Sequence, residues 1–299
     1  MSAHRIPLAG VIGAPIAHSR SPRLFAHWFG AMGIAGHYVP LHIEPANFEQ
    51  GVRALPLMGF RGTNVTLPHK LAALQIADHL SDRARRIGAA NTLTFREDGI
   101  HADNTDGHGF LENLRQSAPG WSAADGAAVV LGAGGAARAV LDALVEAGAP
   151  EIRLANRTRA RAQALAEAFG PRIRVIDWVE VPEALDGSAT VVNTTSLGME
   201  GADPFDLDLS ALPRDALVTD LVYTPLDTPM LIAARAQGCR TVDGLGMLLH
   251  QAVPGFERWF GATPEITEPR ARRCWDDFPS RPHRLHRHGK IDHGGDVRG

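Results

Sequence analysis

Apolar and polar positions along this chain switch repeatedly between a period of two and a period near 3.6. Residues 37–43 alternate as a strand does, residues 47–54 repeat as a helix, and residues 60–65 return to a short strand. Pro68, a residue type favoured in the first helical turn, predicts a helix from there to about His79. Residues 91–95 and 100–102 flank Asp98-Gly99 and read as a hairpin. A second unit begins near Gly126. Residues 127–131 form an apolar run of buried-strand character. Residues 136–147 then carry Ala136, Val140, Leu141, Leu144 and Val145 at helical spacing, with Gly148 as the stop. Further strands are predicted at 151–155, 172–176, 190–193, 217–221 and 239–242, with helices between several of them. This alternation predicts an α/β protein whose second half is a doubly wound, mainly parallel sheet.

The length of 299 residues suffices for two domains of ordinary size. A 44% hydrophobic and 21% charged composition is globular. The net charge of -3, without a long basic block before the tail, argues against nucleic acid and for a small-molecule partner. The apolar run from Ile6 to Ala17 is interrupted by Pro7 and Pro15 and lacks a signal-peptide cleavage site. Arg138, Asp142 and Glu146 break the longest apolar region, so no membrane span is expected. Cys239 and Cys274 sit in no CxxC or Cys/His cluster. A reduced pair in a cytoplasmic protein is therefore expected, with no metal site. Residues 279–299 are rich in Pro, Gly, Arg and His and read as a disordered, solvated tail.

Gly132-Ala133-Gly134-Gly135-Ala136-Ala137 has the form GxGxxA between a predicted strand and a predicted helix. Gly132 suits the tight turn, Gly134 lets backbone approach a pyrophosphate, and Ala137 allows close helix–strand packing. The free N–H groups of the helix start favour phosphate, so a dinucleotide is predicted here. The next strand ends at Ala155 and is followed by Asn156-Arg157-Thr158. No Asp or Glu follows in the stretch up to Arg161 to bind a free ribose diol. Arg157, assisted by Arg161, instead suits a 2′-phosphate, which predicts NADP. Thr158 is also placed to cap the helix that runs through Phe169.

Several further motifs resemble the shikimate dehydrogenase family. They are Gly13-Ala14-Pro15-Ile16-Ala17-His18-Ser19-Arg20-Ser21-Pro22, Asn64-Val65-Thr66-Leu67-Pro68-His69-Lys70, Asn91-Thr92 and Asp103-Asn104-Thr105-Asp106-Gly107. Asn193-Thr194-Thr195-Ser196-Leu197-Gly198-Met199, Asp220-Leu221-Val222-Tyr223-Thr224-Pro225 and Gly244-Leu245-Gly246-Met247-Leu248-Leu249-His250-Gln251 complete the series. The resemblance runs from about Ile6 to Phe260. One departure is Arg23-Leu24-Phe25-Ala26-His27-Trp28, where many relatives carry His-Asn; no catalytic weight falls on His27.

The resemblance implies a role for each matched residue. Lys70 moves the proton and Asp106 holds the reacting hydroxyl and the ammonium, as alcohol oxidation by a nicotinamide requires. Ser19 and Ser21 hold the substrate carboxylate. Asn64, Thr66, Asn91, Tyr223 and Gln251 contact the rest of the polyol through neutral donors and acceptors. Gly132, Ala133, Gly134, Gly135, Ala136, Asn156, Arg157, Thr158, Arg161, Thr194, Leu221 and Gly244 contact NADP. Capping remains the alternative for Ser21 and Asp106, and a surface charge for Lys70 and Arg157. The implied reaction is the interconversion of shikimate and 3-dehydroshikimate, toward chorismate and aromatic amino acids. The implied domains are residues 1–105 with 244–278 for substrate, and 106–243 for NADP. Two other readings stay open: an NAD-linked quinate/shikimate dehydrogenase, and a non-catalytic sensor of a similar ligand. A homodimer is compatible with the resemblance.

Overall fold

A computed structural model describes residues 6–17 and 19–266. Cys274, the predicted tail from Pro279, and His18 of the first motif lie outside the described residues.

The first half forms a six-stranded mixed sheet. Its strands are β1 (Leu8–Gly13), β2 (His37–His42), β3 (Phe60–Val65), β4 (His79–Leu80), β5 (Thr92–Arg96) and β6 (Gly99–Asp103), in the order β2-β1-β3-β5-β6-β4. β1 pairs in parallel with β2 and β3, while β5 runs antiparallel to both β3 and β6. Between the strands lie α1 (Ser21–Met32), α2 (Phe48–Ala54), α3 (Lys70–Gln75) and α4 (Asp82–Ile87).

The helix predicted from Pro68 to His79 is corrected to the single short helix α3. Pro68 belongs to the turn before it, where His69 N–H donates to the Thr66 carbonyl at 2.9 Å. At the other end, Asp78 N–H donates to the Ile100 carbonyl at 2.9 Å. That bond draws the chain into the sheet, and His79 pairs with His101 as part of β4. A strand of two residues is too short to show a period of two, so tertiary pairing overrides the local helical pattern.

α5 (Asp106–Ser117) leads to the second sheet, whose strands are all parallel. These are β7 (Ala127–Leu131), β8 (Ile152–Ala155), β9 (Ile173–Ile176), β10 (Ser188–Asn193), β11 (Leu217–Asp220) and β12 (Arg240–Val242). The order is β12-β11-β10-β7-β8-β9. The chain starts in the middle, winds outward to β9, then returns to the far side of β7. That reversal opens a crevice beyond the carboxyl ends of β7 and β10. The intervening helices are α6 (Gly135–Glu146), α7 (Arg159–Phe169), α8 (Val181–Ala184) and α9 (Pro229–Ala236). β7 explains its own composition: Ala128 and Val130 enter the core on one face, Val129 and Leu131 the core on the other. A strand covered on both faces needs an unbroken apolar run.

The last helix, α10 (Leu245–Phe260), returns to the first sheet. Leu245, Leu249, Ala252, Phe256 and Trp259 form its buried stripe, packed with Phe25, Trp28 and Tyr38. α10 also lies against α5, and two glycines permit the close approach. A Cβ at Gly109 would stand 2.7 Å from the Gln251 backbone nitrogen, and one at Gly246 would overlap the Asn113 side chain.

Candidate active site

The loops that leave β1, β3 and β11, together with the starts of α5, α6 and α10, enclose a cleft of about 210 Å³. It is lined by Ser19, Ser21, Asn64, Thr66, Lys70 and Asn91 from the first half of the chain. Asp106, Ala136, Leu221, Tyr223, Gly244 and Gln251 complete its polar and backbone wall. All the residues expected to contact substrate are thus brought together from segments far apart in sequence.

Lys70 is the first residue of α3, and its turn is tightly held. His69 beside it is buried, stacks on Phe48 at 4.5 Å, and its Nε2 lies 2.8 Å from the Ile43 carbonyl oxygen. Burial lowers the His69 pKa, so the neutral ring donates to that carbonyl. Lys70 Nζ donates to Asp106 Oδ2 at 2.5 Å, and the two side chains are only 14% and 7% exposed. The surface-charge alternative for Lys70 is therefore set aside. Asp106 is the first residue of α5; Thr105 occupies the cap position, so capping is not the role of Asp106.

Asn91 holds the other side of Asp106. Its Nδ2 donates to Asp106 Oδ1 at 2.8 Å and lies 3.2 Å from Gln251 Oε1. Its Oδ1 accepts Thr105 N–H at 2.8 Å. Both carboxylate oxygens of Asp106 are thereby committed, one to an ammonium and one to an amide. Asn64 is fixed by Tyr38, whose hydroxyl donates to Asn64 Oδ1 at 2.7 Å. Tyr38 is in turn clamped by ring stacking on Phe25 at 3.7 Å. Ser21 N–H lies 3.4 Å from Ser19 Oγ, which gathers the two serines at one end of the cleft. Burial pushes the Tyr223 phenol up, against the opposing pull of Arg20, and keeps it a neutral donor.

The dinucleotide turn abuts this cleft. A Cβ built at Gly135 would lie 3.6 Å from Lys70 Cδ, so the start of α6 meets the Lys70 side chain. Gly132 has φ +106°, and a Cβ there would lie 2.6 Å from Thr194 Oγ1. Only glycine fits both demands. Gly134 caps α6 without a side-chain bond, and a Cβ there would meet nothing. The turn is open toward solvent, with the first N–H groups of α6 available to an anion. Asn156 braces the turn: its Oδ1 accepts Ala133 N–H at 3.1 Å while its Nδ2 donates to the Thr158 carbonyl at 2.9 Å.

Arg157, Thr158 and Arg161 do not line the cleft. They are exposed, beyond the end of β8 and on the first turn of α7. Thr158 takes the cap position of α7, but its side chain makes no capping bond, a correction to the expected cap. Arg157 pairs with Asp203 at 3.5 Å, both about three-quarters exposed. The open turn, the free helix start and the exposed guanidinium together fit a dinucleotide bearing a 2′-phosphate.

The reading from sequence gave no role to Val11, Ile16, Val65, Met247 and Leu248, which form the apolar part of the lining. Tyr38 carries no local signal, and His69, inside the motif that ends at Lys70, was given no role there; only the packed fold shows that they hold Asn64 and the Lys70 turn.

Comparison with known proteins agrees with this geometry. Residues 11–93 match the shikimate dehydrogenase substrate binding domain, residues 114–198 the shikimate / quinate 5-dehydrogenase family, and residues 244–268 the shikimate 5′-dehydrogenase C-terminal domain. The shikimate dehydrogenase (NADP(+)) of Dinoroseobacter shibae is 62% identical over 268 residues, covering 89% of this chain and 96% of the relative. That of Jannaschia sp. is 60% identical over 269 residues, covering 90% and 97%. Among solved structures, shikimate 5-dehydrogenase from Thermus thermophilus in complex with NADP(H) and shikimate superposes with TM-score 0.80 at 39% identity, over 90% of this chain and 99% of that one. Quinate dehydrogenase from Corynebacterium glutamicum in complex with NAD superposes with TM-score 0.83 at 32% identity, over 91% and 99%. By its motifs, its fold and these matches, the chain belongs to the shikimate dehydrogenase family.

Proposed function

We propose that the protein catalyses the reversible, NADP-dependent interconversion of shikimate and 3-dehydroshikimate, in the cytoplasm and on the route to chorismate and aromatic amino acids. The observation that carries this reading is the Lys70–Asp106 pair at 2.5 Å, set between a polyol-sized polar cleft and the dinucleotide turn. The substrate-binding part is residues 1–105 with 244–278, and the NADP-binding part is residues 106–243. The separate sheets and the return of α10 to the first of them support that division.

NADP, when bound, takes up or supplies the hydride at the carbon bearing the reacting hydroxyl. Gly132, Ala133, Gly134, Gly135 and Ala136 would hold its pyrophosphate, Arg157 and Arg161 its 2′-phosphate, with Asn156 and Thr158 shaping that loop. Thr194, Leu221 and Gly244 would flank its nicotinamide end. Lys70 accepts or returns the hydroxyl proton at Nζ, and Asp106 orients both ammonium and hydroxyl. Ser19 and Ser21 receive the carboxylate. Asn64, Thr66, Asn91, Tyr223 and Gln251 match hydroxyls with neutral groups, which avoids burying an unpaired charge.

An NAD-linked quinate activity is the competing reading, and the likeness to the quinate dehydrogenase supports its fold. Arg157 and the absence of a carboxylate between Asn156 and Arg161 favour NADP. Initial rates with shikimate and with quinate, each with NADP and with NAD, decide the matter. The highest kcat/KM is expected for shikimate with NADP. A higher value for quinate with NAD would replace this reading, and no turnover with any pair would favour a sensor.

A further inference from the structure

We propose that His79, Asp98 and His101 form a binding site for a divalent transition-metal ion, on the rim of the first sheet and away from the cleft. The site is assembled by β-sheet register. β4 and β6 pair in parallel with His79 directly opposite His101, so both imidazoles project from the same face. Their rings stack with centroids 4.4 Å apart. Asp98 lies in the two-residue turn between β5 and β6, which closes with Arg96 opposite Gly99. That turn carries the carboxylate back over the two rings.

Both imidazoles address one carboxylate. His101 Nε2 is 2.8 Å from Asp98 Oδ1, and His79 Nε2 is 3.6 Å from Asp98 Oδ2. One nitrogen from each ring and one carboxylate oxygen all lie within 4.8 Å of one another. Small side-chain rotations bring such a set onto one ion at about 2.0–2.2 Å per bond. The frame behind the ligands is fixed: Asp78 Oδ2 accepts Ile100 N–H at 2.8 Å, pinning the turn to β4. The ligands themselves are open, with side chains of His79, Asp98 and His101 exposed by 49%, 61% and 24%. Water can therefore complete the coordination sphere.

The donor set selects the class of ion. Two imidazoles with one carboxylate suit Zn²⁺, Co²⁺, Ni²⁺ or Cu²⁺, whereas Ca²⁺ and Mg²⁺ prefer oxygen alone. No sequence motif announces the site, because His79 and His101 are joined by strand pairing and not by a short spacing. The ion would tie β4, the two-residue edge strand, to β6 and to the hairpin turn. None of the three ligands is among the residues that line the cleft. The effect of the ion is on stability, since an ion that binds only the folded chain raises the melting temperature.

The test uses the full chain with His283, His286, His288 and His293 changed to Ala, so that histidines near the C-terminus contribute no binding. Zn²⁺ is titrated by calorimetry, and thermal melting is followed with and without it. One equivalent of Zn²⁺ and a rise in Tm are expected. His79→Ala, His101→Ala and Asp98→Asn should each weaken the binding by on the order of 100-fold or more, because loss of an outer partner alone typically costs 10- to 100-fold. Circular dichroism of the metal-free variants should match the parent, and Co²⁺ should give a visible absorption band that these variants lose. Binding of Zn²⁺ that is unchanged in all three variants, or absent from the parent, would overturn the proposal.

Discussion

Lys70 Nζ and Asp106 Oδ2 stand 2.5 Å apart, although one residue opens α3 and the other opens α5. α3 follows the turn after β3, and α5 follows β6; β5 lies between these two strands and antiparallel to both, so β3 and β6 run the same way and end on the same side of the sheet. The pair is thus a product of sheet order. Lys70→Ala should lower kcat by about 100- to 10,000-fold, the usual scale for a lost proton-transfer group. KM for shikimate should change far less, because Ser19, Ser21 and the amides remain. Wild-type turnover in this variant, measured at saturating NADP, would remove Lys70 from the chemistry.

Ser19 and Ser21 face the cleft within one turn of each other. Each serine to alanine change removes one hydrogen bond to a carboxylate, worth about 1.5–3 kcal/mol. KM for shikimate should therefore rise by roughly 10- to 150-fold per variant, with kcat changed less. Unaltered KM in both variants would return Ser21 to the beginning of α1 as a purely structural residue.

Gly109 on α5 admits the backbone of α10 at Gln251. Gly109→Ala would place a methyl 2.7 Å from that backbone nitrogen and 2.8 Å from the Met247 carbonyl oxygen. Overpacking of this kind costs about 1–3 kcal/mol. The variant should melt earlier and also bind shikimate less well, because Gln251 and Met247 line the cleft. An unshifted Tm would show that α10 moves aside freely.

Much of this organisation was legible in the sequence, and the reasons differ by element. The GxGxxA turn was readable because its backbone demand is local: Gly132 has a positive φ, and the motif fits within six consecutive residues between a strand and a helix. β7 was readable because burial on both faces forces an unbroken apolar run. The polar residues that line the cleft were singled out by matching motifs, whereas their supports were not. Tyr38 reaches Asn64, 26 positions further along the chain, through a ring stack that no periodicity encodes. The end of α3 was misplaced because Asp78 and His79 answer to β6, a partner more than twenty residues away.

Asp220 at the end of β11 supplies a pH signature. It is fully buried, and burial pushes its carboxyl from an ordinary 3.8 up to about 6, against the donors Val222 N–H, Thr228 Oγ1 and Asn193 Nδ2. The folded state therefore binds this proton more tightly than the unfolded state. The contribution to stability is complete below about pH 3.8 and is lost as pH rises through about 6. The loss is on the order of 3 kcal/mol. Asp220→Asn has no such proton to lose. The stability of the parent relative to this variant should fall between about pH 4 and pH 6 and stay level above. Denaturant midpoints of both proteins across that range measure it, and a flat difference would show that the three donors hold Asp220 ionised throughout.

Arg157 decides cofactor choice in this reading. Its guanidinium is about three-quarters exposed at the end of β8, and its present partner is Asp203 at 3.5 Å. A 2′-phosphate carries more charge than a carboxylate and offers three acceptor oxygens to the planar fork, so it should displace Asp203. NAD has no group that can compete in this way. Arg157→Ala should therefore weaken NADP use by roughly 1.5–3 kcal/mol in kcat/KM and change NAD use much less. Asp203→Asn should leave NADP use undiminished or improve it, because the phosphate then displaces no charge. The measurement is kcat/KM for both cofactors in the parent and both variants. Equal losses with NADP and NAD in Arg157→Ala would mean that the arginine supports the loop or the adenine pocket. A parent enzyme that prefers NAD would mean that the Arg157–Asp203 pair persists with cofactor bound, with Asp203 masking the charge that a phosphate needs.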